Sequence, residues 1–106
     1  MPERDLQIPK GIVWSPLAET DFFAILQYLD LEWGKEVTEK FIEITDNSIE
    51  QITINPRQFP VIQKKKKIRK CVLTKHNTMF YQVGRESIDI LRIFDTRQDP
   101  RKLKFI

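Results

Sequence analysis

From Ala18 onward apolar residues recur every third or fourth position, at Ala18, Phe22, Ile25, Leu26, Leu29 and Trp33. This spacing gathers them into one stripe of a helix. Ser15 can cap the helix start, and Pro16 sits at the first helical position, where a missing N–H does no harm. Glu19 and Asp21 suit the positive end of the helix dipole, and Gly34 ends the segment. A second helix is predicted from about Lys35 to Ile54, with Val37, Phe41, Ile44, Ser48 and Ile52 on one face. Asn55-Pro56 stops it, because proline cannot donate a backbone bond and its predecessor avoids helical geometry. With one glycine between them, the helices should pair as an antiparallel hairpin.

Alternating and short apolar runs flank this hairpin. Gly11 to Trp14 reads as a short strand leading into Ser15, and Arg57 to Pro60 as a connecting loop. Three strands are then predicted, at Ile68–Leu73, Thr78–Val83 and Ser87–Phe94. Their joins, Lys75-His76-Asn77 and Gly84-Arg85-Glu86, are of hairpin length. In the last strand Ile88, Ile90 and Phe94 should face one way, Leu91 and Ile93 the other. A strand apolar on both faces belongs inside a sheet. Trp14 and Trp33 are expected to anchor the core where the first strand meets the helix joint. The order β-α-α-β-β-β predicts an α+β fold, with the helical hairpin on one face of a mainly antiparallel four-stranded sheet.

At 106 residues the chain fits a single domain, 1–106, with 1–10 as an N-terminal extension and 95–106 as a basic C-terminal tail. Its 41% hydrophobic content can fill one core, which excludes disorder over the whole length. No apolar run is long enough to span a membrane, and the opening residues are too polar for a secretory signal. A cytoplasmic location is expected. Cys71 is the sole cysteine and His76 the sole histidine, so neither an internal disulfide nor a Cys/His metal site is expected, and no cofactor.

The net charge of +3 conceals a strong division. Residues 1–55 carry −7 and residues 56–106 carry +10. Two readings stay open: a face adapted to an anionic partner, or acidic helices balancing a basic sheet. Lys64, Lys65, Lys66 and Lys67 form the densest run and could steer toward RNA, DNA or an acidic protein, or form a solvated loop. His76 in its turn could titrate near neutrality or simply be solvated. Tyr81 and Cys71 read as packing residues on their strands.

Five stretches in order resemble the RelE/ParE toxin superfamily, and its ParE-like members most. They are Val13-Trp14-Ser15-Pro16-Leu17-Ala18; the helix pair with Tyr28-Leu29 and Trp33-Gly34; Asn55-Pro56; Ile68 to Leu73 with Lys75-His76-Asn77 and Phe80-Tyr81; and Ile90 to Pro100. Together they span about residues 11–103. The resemblance implies the toxin of a bacterial type II toxin–antitoxin system, causing growth arrest, serving plasmid stabilisation and silenced in a hetero-oligomer with a cognate antitoxin that lies over the helices and sheet. Phe23 and Leu31, off the main stripe, are candidates for that cover. It further implies one of two targets. ParE-like members inhibit DNA gyrase by protein binding, whereas RelE-like members cut mRNA in the ribosomal A site. A member that only binds its antitoxin is a third alternative.

By the same resemblance Arg69 matches the family arginine on the second strand, and Arg97 the one just after the last. Metal-independent RNA cleavage needs a base, an acid and cations around the phosphate. The endonuclease alternative would draw these from Arg69, Arg97, Lys75 and His76. The stretch after Arg97 carries no Tyr or His, which favours gyrase inhibition without catalytic turnover. Target or antitoxin binding would then fall to Arg69, Arg97, Arg101 and Lys64 to Lys67, with a structural ion pair from Arg97 to Asp95 or Asp99 as the competing reading.

Overall fold

Strand β1 (Gly11–Trp14) ends at Ser15, whose Oγ accepts from the Ala18 N–H and so caps helix α1 (Pro16–Trp33). The computed structural model describes residues 11–105; the expected extension, residues 1–10, lies outside them. Gly34 adopts φ 93°, a left-handed conformation that glycine takes without strain, and its N–H donates to Leu29 and Asp30. Helix α2 (Lys35–Ile54) follows at once and ends at Asn55, as expected. Then come β2 (Val61–Gln63), β3 (Ile68–Thr74), β4 (Asn77–Val83), β5 (Ser87–Asp95) and a short 3-10 turn at Pro100–Lys102.

The strands form one sheet in the order β1-β5-β4-β3-β2, antiparallel except for the β1–β5 pair. The α+β architecture is therefore the expected one, with five strands instead of four. The additional strand is three residues long and follows Pro60, so it has no alternating pattern of its own. It is defined by pairing of Val61 with Arg69 and Gln63 with Ile68.

A bulge in β5 changes the expected facing of its side chains. Phe80 pairs with Arg92 but Tyr81 pairs with Ile90, leaving Leu91 unopposed. One extra residue reverses the alternation beyond it. Ile93 therefore joins Ile88 and Ile90 in the core under the helices, and Phe94 joins Leu91 on the far face. That far face has its own small cluster of Ile68, Phe80 and Phe94, onto which Leu103 and Phe105 of the C-terminal segment fold back. The main core holds Ala18, Phe41, Ile52, Cys71, Leu73, Met79 and Tyr81. Trp14 packs in an aromatic contact 5.2 Å from Phe22, whereas Trp33 is 66% exposed and anchors no core.

The bulge is also where α1 is fastened to the sheet. The Ser15 N–H donates to the Ile90 carbonyl and its Oγ to that of Leu91. One turn on, the Asp21 carboxylate accepts from Arg92 Nε at 2.7 Å, Arg92 Nη2 at 3.0 Å and the Ile93 N–H at 3.0 Å. Arg92 Nη1 reaches the Lys104 carbonyl, so one guanidinium ties helix, strand and tail. Both side chains are about one-sixth exposed. Removing one partner leaves a largely desolvated charge and an orphaned amide. Asp21→Ala should lower unfolding stability in urea by about 2–4 kcal/mol. A loss under about 0.5 kcal/mol, ordinary for a surface site, would show that this clamp does not hold the fold.

Candidate functional site

Helix α1 begins half-way along β5 and runs past its end, so its second half has little sheet beneath it. An open groove of about 580 Å³ results, between α1, α2 and the end of the sheet where β3 turns into β4. Its floor and walls are apolar: Ile25 and Leu29 from α1, Phe41 and Ile44 from α2, and Ile93 from β5. Tyr28, Trp33 and Val37 form its rim and remain exposed. One end is polar, with His76 from the β3–β4 turn, Asn77 at the start of β4, Asp95 at the end of β5, and Arg97 and Gln98 beyond it.

The arginine at this end is held by its own segment. Arg97 Nε and Nη2 donate to the Asp95 carboxylate at 3.0 and 2.8 Å, and its N–H adds a third bond at 2.9 Å. These Arg97 bonds hold the Asp95 carboxyl below its ordinary range, with a smaller contribution from His76. The same arrangement recurs one turn later, where Arg101 pairs with Asp99 at 2.7 Å and lowers that carboxyl too. Arg101 itself is almost fully exposed.

Arg69 lies elsewhere. It alternates with Cys71 and Leu73 on the helix side of β3, and its Nη1 donates to the Phe59 carbonyl at 2.6 Å and the Arg57 carbonyl at 3.1 Å. Arg69 pairs with Tyr81 and Asp95 with Asn77, so four residues of β4, about 13 Å, separate their levels on the sheet. The two family-matched arginines are thus not brought together. Lys75 is exposed in the turn beside His76, while Lys64 to Lys67 form the β2–β3 turn.

Two further candidates are embedded in packing. Tyr81 is fully buried, and its hydroxyl donates to the Pro56 carbonyl at 2.6 Å. Burial also raises the Cys71 thiol, with a Ser48 hydrogen bond opposing the shift, so it stays protonated at neutral pH. Among the described residues no group of three or more His, Cys, Asp or Glu could hold a metal, and no helix is long and apolar enough to cross a membrane.

Residues 12–100 match the family model described as the ParE toxin of the type II toxin–antitoxin system parDE. The chain belongs to the ParE toxin family. No match emerges among curated proteins. Among solved structures, the chromosomal ParDE toxin–antitoxin system of P. aeruginosa superposes with a TM-score of 0.69 at 19% identity, covering 81% of this chain and 95% of the other. A copper-bound mutant toxin from Helicobacter pylori gives 0.55 at 15% identity, over 83% and 96% of the two chains. A conserved hypothetical protein from Helicobacter pylori, solved in solution, gives 0.55 at 16%, over 84% and 97%. At these identities the structural likeness concerns the fold, and membership rests on the family model.

For this ParE-family toxin the sequence does not mark Tyr28, Val37 and Lys40 as groove residues, and Trp33 reads there as a core anchor. Trp33 carries the signal most plainly, since it ends an apolar stripe longer than the sheet can cover. Asp21 reads in sequence as an ordinary acid of the early turns of α1. Its role is marked only by Arg92, the one basic residue of strand β5.

Burial pushes the Tyr81 phenol up to about 12, against the opposing pull of Arg69 and with a smaller push from Cys71. A raised value favours the neutral form in the folded chain. Its stabilising contribution is whole below the unfolded value of 10 and is lost as pH rises through about 12. In a Tyr28→Phe variant Tyr81 is the sole tyrosine. Its ultraviolet tyrosinate signal should appear only near pH 12, together with alkaline unfolding. Tyrosinate forming near 10 in the folded chain would contradict this placement.

Proposed function

We propose that this toxin acts by occupying partner proteins: its antitoxin seats an apolar segment in the groove between α1 and α2, and its cellular target is DNA gyrase. The observation that carries the reading is the groove, whose apolar floor is flanked by exposed Tyr28, Trp33 and Val37. An amphipathic helix laid there would cover them and meet the polar end at His76, Asn77 and Arg97. Phe23 and Leu31, 65% and 83% exposed on the outer side of α1, extend the surface such a partner could wrap. Family membership supports an antitoxin as that partner and gyrase as the target.

Cutting of ribosome-bound mRNA, the rival reading, needs cations, base and acid around one phosphate. Here Arg69 is bound to the loop after α2, while Arg97 and His76 lie at the far end of the sheet. That separation supports binding over turnover.

Trp33→Ala combined with Val37→Glu tests the antitoxin seat, because both side chains are exposed and their loss should leave the melting temperature nearly unchanged. Affinity for the cognate antitoxin should fall by about 100-fold or more, as for a central aromatic anchor. Binding as tight as that of the unaltered chain would remove the groove from the account. Titration calorimetry of the purified pair reads the difference.

A further inference from the structure

A second cleft, of about 470 Å³, opens at the opposite end of the sheet from the groove. Arg57, Lys64, Lys67 and Arg69 line it over a floor of Val61 and Val83, with no carboxylate among the lining residues. We propose that this cleft binds the phosphate backbone of a double-helical nucleic acid. The inference is independent of what occupies the groove.

Four cations converge here because the backbone brings them together. The β2–β3 turn places Lys64 and Lys67 at its two corners, closed by a hydrogen bond from the Lys67 N–H to the Lys64 carbonyl. Lys67 holds φ 55°, a left-handed conformation uncommon outside glycine, asparagine and aspartate. The Gln82 side chain pins the turn from β4 by donating to the Lys66 carbonyl at 2.7 Å. Arg69 spends both N–H groups of Nη1 on the carbonyls of Arg57 and Phe59, which fixes the loop that carries Arg57. Its Nε and Nη2 bond to no acceptor among the described residues, so three donors remain for a phosphate.

No ion pair joins these four cations to another described residue, in contrast with Arg92, Arg97 and Arg101, each paired with an aspartate. Unneutralised cations crowded in one cleft repel one another, and a polyanion relieves that repulsion while releasing its own counterions. The lining offers phosphate donors and aliphatic surface but no aromatic ring, so it lacks the platform on which single-strand binders stack successive bases. A duplex presents its phosphates outward without needing a stacking partner, and such contacts position without reading sequence.

The test is fluorescence anisotropy of the full chain with a short DNA duplex, an RNA duplex and single strands of the same sequence, across a salt series. Binding should be tighter to duplexes than to single strands, and the log–log salt slope should be about −3 to −4 for four phosphate contacts. The tighter duplex identifies whether DNA or RNA is the source of the phosphates. Lys64→Gln combined with Lys67→Gln should reduce the slope by about two units, and Arg57→Gln by about one. Lys102→Gln with Lys104→Gln removes the same charge at and just after the 3-10 turn, where both side chains are exposed, and should leave duplex binding intact. Thermal melts of each variant keep folding apart from binding. An equal loss from the 3-10 turn variant, tighter binding to single strands, or no salt-dependent binding at all would each overturn the proposal.

Discussion

Strand β1 stops at Trp14, and β5 continues past it with no neighbouring strand on that side among the described residues. The next outward amide, that of Ile93, must find an acceptor or remain an orphan, and Asp21 supplies one from the second turn of α1. Its carboxylate also grips Arg92 through two nitrogens, and Arg92 reaches on to the C-terminal segment. A planar guanidinium suits this three-way joint because its forked donors can face a carboxylate and a carbonyl together. With the helix fastened at Ser15 and Asp21, its direction over the sheet is settled, and the remaining arrangement follows from that direction.

One consequence is an overhang. An 18-residue helix runs about 27 Å. From the Leu91 bulge to Asp95, β5 offers only four further residues, about 13 Å. The apolar stripe of α1 therefore outlasts the sheet, and Ile25, Leu29 and Trp33 line a groove where a continuing sheet would have buried them. At the other end, the same geometry leaves the loop after α2 and the β2–β3 turn to meet over Val61 and Val83. The molecule thus presents an apolar groove at one end and a cationic cleft at the other, joined by a sheet whose far face is closed by Leu103 and Phe105.

Much of the fold is legible in the sequence because its punctuation is local. Ser15-Pro16, Gly34 and Asn55-Pro56 each mark a boundary by their own backbone chemistry, and both helices begin and end at them. What needs a partner in space is not legible. Strand β2 exists through its pairing with β3, and the Leu91 bulge through a mismatch between β4 and β5. The facing of Ile93 and Phe94 follows the bulge, so simple alternation misplaces them. The site divides in the same way. Arg97 stands against Asp95 two residues away, within reach of sequence reasoning, and that pairing is observed. Arg57 joins Lys64, Lys67 and Arg69 only because β2 folds back on β3. Trp33, read as a core anchor, is exposed because helix length is visible in a sequence but the extent of the sheet beneath it is not.

Fold and family together describe a ParE-family toxin with an apolar groove at one end, a cationic cleft at the other and its two family-matched arginines set apart on the sheet. We propose that it works by stoichiometric association. The most direct measurement is titration of the purified toxin into a DNA supercoiling reaction of fixed gyrase concentration, with ribosomes and mRNA assayed in parallel. The account predicts inhibition that saturates near one toxin per gyrase active site and intact mRNA throughout. Cleavage of many mRNA molecules by each toxin, with supercoiling unaffected, would contradict it.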